Sequence, residues 1–341
     1  MQECECQHDP SETNSSSFNF IVIICFLPCL SCLGIYLNIL NVRIFSKRRQ
    51  TSDVYLCALS ASDIGICFAG LFVIWADSLR AHYFFVDQLF VWVLPYSIPL
   101  GLFFQMLSIY ITVLAAFDLF FSLCSRARLS SCSWHISALH RIILATIFTA
   151  CYNAVQFNDL KTVQCQLPEN NTIVYELCPT DMRLSETYIV IYKGYMYVLI
   201  MAAVPFLLLS ILALSILLVL RRRQAKKLRD NEHLVDSKIN QNGKSSEKPT
   251  DDGENSVLVL LSVIVLFLVC NAGSLVVNLL EMVKFRFSPS VDAILIDVGN
   301  LSVLLNSSLN FFIYYVSSSS FSSDLLHTQG EKASSRLSMR V

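Results

Sequence analysis

Several polar side chains stand inside long apolar stretches of this chain, and their chemistry is that of oxygen ligands. A carboxylate, Asp63, is flanked by apolar residues, and Ser108, Asn306 and Asn310 lie in other such stretches. Asn306 and Asn310 are four residues apart, so they would share one face of a helix. Grouped around Asp63 together with Asn38, these oxygens would suit a small hard cation. The alternative is a protonated carboxyl group within a neutral hydrogen-bonded network.

The chain carries no residue pattern typical of an enzyme site. It lacks His-Glu-x-x-His and Gly-x-Ser-x-Gly, and among its ten glycines there is no Gly-rich phosphate-binding loop. Cys4-x-Cys6 is a poor metal motif because a second ligand pair at suitable spacing is missing. We therefore expect no catalysis, no cofactor other than the cation considered above, and no nucleic-acid partner.

Seven apolar runs, each about long enough to cross a bilayer, must position these polar groups. The chain is 54% hydrophobic and 15% charged. The runs are continuous rather than alternating, so they predict helices instead of barrel strands. The predicted fold is an all-α membrane bundle of seven transmembrane helices over residues 18–323. We place its spans at residues 18–43, 54–77, 90–124, 140–158, 188–220, 255–284 and 294–316.

The distribution of Lys and Arg predicts the orientation of this bundle in the membrane. With the N-terminal segment, residues 1–17, outside, the cytoplasmic segments hold 19 of the 25 basic residues. The positive-inside rule therefore places the N-terminus outside and the C-terminus inside. The third cytoplasmic loop, residues 221–254, is expected to continue the fifth helix as a basic face and then to become disordered. The cytoplasmic tail, residues 317–341, is expected to begin with a short eighth helix.

The outer side in this orientation is acidic. Its net charge is −8, against +9 on the inner side. This charge favours a cationic ligand through long-range attraction, and the alternative is that the acids are solvated surface residues. Asn14 and Asn170 begin glycosylation sequons on the same side.

Motifs in several spans occur in a recognisable order. The second span contains Leu-x-x-x-Asp at residues 59–63, and the seventh ends in an Asn-containing motif at residues 306–314. The fifth span carries Pro205 and the sixth carries Cys270-Asn271. In this order the motifs resemble those of rhodopsin-like G-protein-coupled receptors. Three further segments are similar to invertebrate receptors for FMRFamide-type neuropeptides: residues 95–99, 152–153 and 180–183.

The resemblance implies a multi-pass receptor of the plasma membrane that binds an extracellular amidated peptide of FMRFamide type. Such a peptide would enter between the outer halves of the third, fifth, sixth and seventh helices. Its arginine would need carboxylate partners and aromatic rings. The carboxylates at the mouth are Asp77, Glu281, Asp292 and Asp297. The expected ligand-binding residues are Phe104, Gln105, Tyr188, Tyr192, Asn271, Asn278, Glu281 and Asp297.

The resemblance also implies roles for the polar network and for the cytoplasmic end. Ligand binding would shift the sixth helix outward and open a cleft for a heterotrimeric G protein and for arrestin. Asp118, Leu119 and Tyr314 stand at the positions of the activation switch. Five polar residues match positions where related receptors hold sodium in the inactive state: Asn38, Asp63, Ser108, Asn306 and Asn310.

Two departures from the family pattern leave alternatives open. Leu119 replaces the arginine of Asp-Arg-Tyr, so one alternative is a protein that binds ligand without G-protein coupling. No cysteine lies near the top of the third helix, so the usual bridge to the second outer loop cannot form. A bridge between Cys165 and Cys178 is the expected substitute, and pairing of either residue with Cys4 or Cys6 is the alternative.

Two functions of other classes were weighed against a peptide receptor. The first is a nematode-like chemosensory receptor for a small molecule, over which the acidic mouth favours a peptide. The second is a transporter or channel, which fits poorly because no repeat relates the two halves of the chain.

Overall fold

The structure is a computed structural model, and most of the described residues are in helices. Within the described residues, seven helices are long and apolar enough to cross a membrane, so the predicted seven-helix membrane bundle is confirmed. The described residues are 19–48, 50–80, 82–125, 137–166, 173–238, 252–282, 288–318 and 320–326. The spanning helices are α1 (Leu27–Phe45), α2 (Thr51–Gly70), α3 (Phe84–Ser125), α4 (Ala138–Ala154), α5 (Val204–Lys238), α6 (Asp252–Met282) and α7 (Pro289–Ser317).

Wider π-helical segments extend three of these helices at the end of the bundle where α1 begins, which we call the outer end. They are Asn19–Phe26 before α1, Leu71–Trp75 after α2, and Tyr188–Met196 with Val198–Ala203 before α5. A last helical turn, Ala76–Arg80, follows α2. Such π-helical turns occur frequently at functional sites. Shorter helical segments are Val155–Asn158 after α4 and Asp181–Leu184 before α5.

Helices α3 and α5 are longer than a bilayer crossing requires. α3 has 42 residues, or about 63 Å at 1.5 Å per residue, against a hydrocarbon core of about 30 Å. Its N-terminal end therefore projects at the outer end, where it carries Pro95 and Pro99. α5 continues past Arg221 to Lys238 at the inner end.

A β-hairpin lies between α4 and α5 at the outer end, where the sequence analysis predicts no strand. Its strands are β1 (Leu160–Gln166) and β2 (Ile173–Pro179), which pair antiparallel with Leu160 opposite Pro179. The hairpin is fastened to α3 by Gln88, whose Oε1 accepts from the Tyr175 amide at 2.8 Å while its Nε2 donates to the Tyr175 carbonyl at 3.2 Å. A side-chain amide thus makes the two bonds that a neighbouring strand would make.

Two glycines allow close approach of the helices around the buried polar residues. A Cβ atom on Gly34 of α1 would lie 2.5 Å from Ser308 Oγ on α7. A Cβ atom on Gly65 of α2 would lie 2.3 Å from Cγ of the Phe104 ring on α3. Larger residues at these two positions would push α1 and α3 away from their neighbours.

A short segment after α7 packs back against the inner end of the bundle. Residues 320–326 are helical, and Phe321 is fully buried against Phe45 and Tyr314 at ring-centroid distances of 5.3 and 5.8 Å. Arg48, after α1, binds Asp324 at 2.6 Å and thereby fixes the same segment. The side of the membrane on which this segment and the N-terminus lie stays a prediction.

Candidate functional site

A cavity of about 410 Å³ lies between α2, α3 and α7, toward the outer end. Ligand sites in proteins are typically about 300–1,000 Å³ and mainly apolar, with a few convergent polar groups. Most residues that line this cavity are aliphatic. Its main polar side chains are Asp77, Gln105, Asp297 and Asn300.

The rim of this cavity is acidic. Arg80 binds Asp77 with Nε at 2.9 Å and approaches Asp87 with Nη1 at 3.6 Å. Asp77 and Arg80 are partly exposed, so their ion pair contributes little stability and a ligand cation can compete for the carboxylate. Asp77 and Asp297 both line the cavity, and Asp87 lies beside the Arg80 guanidinium that binds Asp77. The arrangement can bind a cationic group beside an aliphatic wall.

Two of the predicted ligand-binding residues line this cavity, and one of them also reaches a second cavity. Gln105 and Asp297 line the first cavity. Gln105 also lines a smaller space of about 30 Å³ between α3, α5 and α6, together with Asn271. The Asn271 side chain donates to the Phe267 carbonyl at 2.9 Å. The 410 Å³ cavity is thus lined by α2, α3 and α7, whereas the predicted entry lies between the third, fifth, sixth and seventh helices and stays a prediction.

Three predicted aromatic residues make contacts with the protein itself. Phe104 packs over Gly65. Tyr188 stacks on Tyr192 at 5.0 Å, and Tyr192 stacks on Tyr152 of α4 at 5.2 Å between ring centroids. The Tyr192 hydroxyl donates to the Tyr152 carbonyl at 2.5 Å. The stacked tyrosine rings join α4 to the π-helical segment before α5.

A buried carboxylate that the sequence analysis missed organises this outer junction. Asp159, just after α4, accepts a hydrogen bond from the Tyr188 hydroxyl. It also lies 2.7 Å from Lys193 Nζ and 3.5 Å from Arg183 Nη1. A buried charge is tolerated only when it is paired and hydrogen-bonded. The available signal was Lys193, a cation that interrupts an otherwise apolar run at the start of the fifth span.

The predicted polar network forms in the middle of the bundle. Asp63 is fully buried, and its carboxylate accepts from Ser108 at 3.2 Å and from Asn310 at 2.8 Å. Asn38 donates to the Ser307 carbonyl at 2.8 Å, which links α1 to α7. Asn306 is buried on α7 one turn before Asn310. α1, α2, α3 and α7 are therefore joined through one polar centre.

The oxygen atoms of this network suit a small hard cation. Asn310 uses its amide nitrogen to bind Asp63, and its Oδ1 is buried without a hydrogen-bond partner among the described residues. A buried acceptor without a donor is costly, and a cation or a water molecule would satisfy it. Asp63, Ser108 and Asn310 would hold the ion through oxygen atoms, which sodium-like cations prefer.

The inner end of the bundle contains an ion pair that the sequence did not predict. Arg141 of α4 binds Asp118 of α3 at 2.5 Å, and its guanidinium lies 5.9 Å from the ring of buried Tyr55. The neighbouring Leu119 is buried in the apolar core. Asp118 is therefore paired with a cation from α4, and the next residue of α3, where the family pattern has an arginine, is Leu119.

The inner half of the bundle is closed by apolar packing. Leu119 of α3 belongs to the same buried cluster as Ile216 of α5 and Ile264 of α6. Tyr314 of α7 is fully buried and packs edge-to-face on Phe45 at 5.1 Å. Arg223 of α5 donates to the Leu123 carbonyl near the end of α3. A partner protein would need α6 to move before it could enter between these helices.

The remaining predicted site residues have several outcomes. The side chains of Asn278 and Glu281 on α6 are not described, and Asn14 and Asn170 lie outside the described residues.

The predicted bridge between Cys165 and Cys178 is wrong. Cys165 faces Val174 and Cys178 faces Lys161, so the two cysteines are offset by four residues. That offset is about 13 Å along a strand, whereas a disulfide needs Cα atoms less than about 7 Å apart.

Comparison with known proteins places the chain among receptors. The family model for the seven-transmembrane receptors of the rhodopsin family matches residues 37–314. A probable G-protein-coupled receptor of Caenorhabditis elegans, frpr-1, is 32% identical over 325 residues, covering 89% of this chain and 78% of the relative.

Two other relatives carry FMRFamide in their names. The FMRFamide receptor of Drosophila melanogaster is 26% identical, over 92% of this chain and 54% of the relative. The FMRFamide peptide receptor frpr-18 of Caenorhabditis elegans is 22% identical, over 89% of this chain and 68% of the relative. The resemblance inferred from the sequence motifs is therefore confirmed.

Proposed function

The chain belongs to the rhodopsin family of seven-transmembrane receptors, and we propose that its ligand is an amidated peptide of FMRFamide type. It is a multi-pass protein of the plasma membrane. The observation that carries the proposal is the cavity between α2, α3 and α7, which combines aliphatic walls with Asp77 and Asp297. An arginine side chain needs such carboxylates, because charge-assisted hydrogen bonds are the strong ones. Two of the relatives named above are receptors for FMRFamide peptides.

The proposed signalling step is a shift between two packings of the bundle. The described packing keeps Leu119, Ile216 and Ile264 together and leaves no room for a partner between α3, α5 and α6. A peptide that contacts the outer halves of α2, α3 and α7 more strongly in an open state would favour that state. The open cleft would then bind a heterotrimeric G protein, and arrestin after it.

A sodium ion at Asp63 belongs to the same proposal. It would be held by oxygens of Asp63, Ser108 and Asn310, and its charge would offset the buried carboxylate. Because the ion would tie α2, α3 and α7 together, it would favour the closed packing. An agonist that favours the open packing would then oppose sodium binding, since coupling between two ligands is reciprocal.

A ligand screen tests the proposed function. Cells that express the receptor would be exposed to a library of amidated neuropeptides, with several G-protein outputs and arrestin recruitment read in parallel. We expect activation by an amidated peptide that ends in Arg-Phe, and loss of activity when its C-terminal amide is replaced by a free acid. Cells without the receptor serve as the control.

Two results of this screen would contradict the proposal in different ways. Activation by small molecules alone would favour a chemosensory receptor. Saturable peptide binding without any G-protein or arrestin output would favour a receptor that does not couple, as Leu119 allows.

A further inference from the structure

Both cysteines of the hairpin are disulfide-bonded, but they are not bonded to each other. Cys165 and Cys178 are bonded and buried, with exposures of 2% and 0%. The strand register separates them by four residues, which excludes a bond between them. Each must therefore have a partner elsewhere in the chain.

The remaining cysteines leave few partners. The chain has 13 cysteines, and the eight other cysteines of the described residues are free. This leaves Cys4, Cys6 and Cys132. Cys132 follows α3, which contacts the hairpin at Val91 near its start and ends at Ser125, about 51 Å away along the helix axis. Seven residues of chain from Ser125 to Cys132 span at most about 25 Å, so Cys132 cannot reach the hairpin.

The described part of the chain begins at the same end as the hairpin. Trp75, after α2, donates to the Ile24 carbonyl at 3.0 Å, so the start of α1 lies beside the outer end of α2. The hairpin lies at the same end, because β1 donates from Thr162 to the Val91 carbonyl of α3 at 3.1 Å. We propose that Cys4 and Cys6 form one disulfide each with Cys165 and Cys178.

The distances permit both bonds at once. Val174 faces Cys165 and stands four residues before Cys178 on β2, so both cysteines point to the same face of the hairpin. Their Cα atoms are about 14 Å apart, from the offset along the strands and the spacing between them. Cys4 and Cys6 are at most about 7 Å apart, and each bridge adds about 5.5 Å. Together, the segment from Cys4 to Cys6 and the two bridges can span about 18 Å, which exceeds the separation of about 14 Å between Cys165 and Cys178.

The bonds form by ordinary thiol–disulfide exchange in an oxidising compartment. For each bridge, two thiols lose two protons and pass two electrons to the disulfide of a secretory-pathway oxidoreductase, which becomes a dithiol. The two bridges anchor the hairpin to the N-terminal segment. They take over the anchoring that the family obtains from a cysteine at the top of the third helix, where this chain has Leu94 and its neighbours. Glu3 and Glu5, which flank Cys4, are thereby held at the hairpin.

Peptide mapping of the purified, unreduced receptor tests this pairing. After alkylation of free thiols, cleavage at Lys, Arg and Glu separates the four cysteines onto residues 4–5, 6–12, 162–169 and 177–183. We expect residues 4–5 and 6–12 to be linked to residues 162–169 and 177–183, and the linked masses to vanish on reduction. A link between 162–169 and 177–183, a link to the peptide that contains Cys132, or alkylation of all four cysteines would overturn the proposal.

Counting of free thiols tests the same pairing without proteolysis. In the variant Cys4→Ser/Cys6→Ser, Cys165 and Cys178 lose their partners, so a maleimide added to the denatured, unreduced receptor should label two thiols more per receptor than in the wild type. The matched variant Cys132→Ser should show one labelled thiol fewer than the wild type. A thiol count in the double variant that is equal to or lower than the wild-type count would contradict the proposal, and if that variant does not accumulate, the peptide map of the wild type decides.

Discussion

Arg141 Nη2 lies 2.5 Å from Asp118 Oδ2, so a guanidinium on α4 neutralises the carboxylate at the inner end of α3. Both side chains are largely buried, with exposures of 9% and 19%. The family places the corresponding arginine next to the aspartate, where this chain has buried Leu119. In this chain the cation that pairs with Asp118 lies on α4, so the pair joins two helices.

Removal of this cation should destabilise the receptor. In Arg141→Gln, Asp118 stays mostly buried without its partner, and breaking such a pair costs about 3 kcal/mol. We expect a lower melting temperature of the purified receptor than in Arg222→Gln, which removes an exposed arginine. The double variant Asp118→Asn/Arg141→Gln should lose less stability than the two single variants together. Strictly additive losses would show that the pair is not coupled.

The contact between Gly65 and Phe104 should make α2 intolerant of a single methyl group. In Gly65→Ala the new Cβ would meet the Phe104 ring at 2.3 Å, and overpacking of this kind costs about 1–3 kcal/mol. Gly273→Ala is the matched control, because its Cβ would meet nothing within 4 Å. Melting temperatures of the two purified variants check the prediction. Equal stability of both would contradict the described packing.

Gln88 should hold the hairpin on α3. In Gln88→Ala the Tyr175 amide loses its acceptor, so we expect its hydrogen exchange to be about fivefold faster, as loss of a hydrogen bond worth about 1 kcal/mol implies. Mass spectrometry of the peptide that contains β2 measures this rate. Gln166→Ala removes an exposed glutamine that faces Ile173 in the same hairpin and should leave exchange of the Tyr175 amide unchanged. If the two variants exchange alike, Gln88 does not fasten the hairpin.

Sodium should weaken agonist binding through Asp63. Replacing choline by sodium in the binding buffer should lower agonist affinity about five- to tenfold, within the usual range of coupling between two sites. Asp63→Asn removes the charge that the ion would offset and should abolish this difference. Ser62→Ala on the same helix is the control, since its hydroxyl binds only the Leu59 carbonyl among the described residues. Sodium sensitivity that persists in Asp63→Asn would eliminate the site.

The spans and the polar centre were predictable for related physical reasons. Long apolar runs are required by the thickness of the bilayer, so their number follows from the sequence. Polar groups inside lipid must find partners within the protein, which is why Asp63 and Asn310 were expected to meet. Neither inference needed knowledge of how the helices pack.

The contacts at the two ends of the bundle were not predictable in this way. Arg141 is an ordinary basic residue at the end of a span, and only the packing of α4 on α3 makes it the partner of Asp118. Gln88 and Asp159 are single polar residues whose partners depend on the hairpin. The predicted bridge between Cys165 and Cys178 was wrong because it depends on the strand register, which two seven-residue strands of mixed polarity do not reveal in the sequence.

The most direct measurement compares one charge on the peptide with one charge on the receptor. Binding of Phe-Met-Arg-Phe-NH₂ and of its analogue with neutral citrulline in place of arginine would be measured on the wild type, Asp297→Asn and the exposed control Glu186→Gln. A charge-assisted hydrogen bond contributes about 1.5–3 kcal/mol, so Asp297→Asn should weaken the arginine peptide about 10- to 100-fold. The citrulline analogue should bind Asp297→Asn and the wild type alike. Equal losses of both peptides, or no loss of either, would contradict a carboxylate site for a cationic peptide in this cavity.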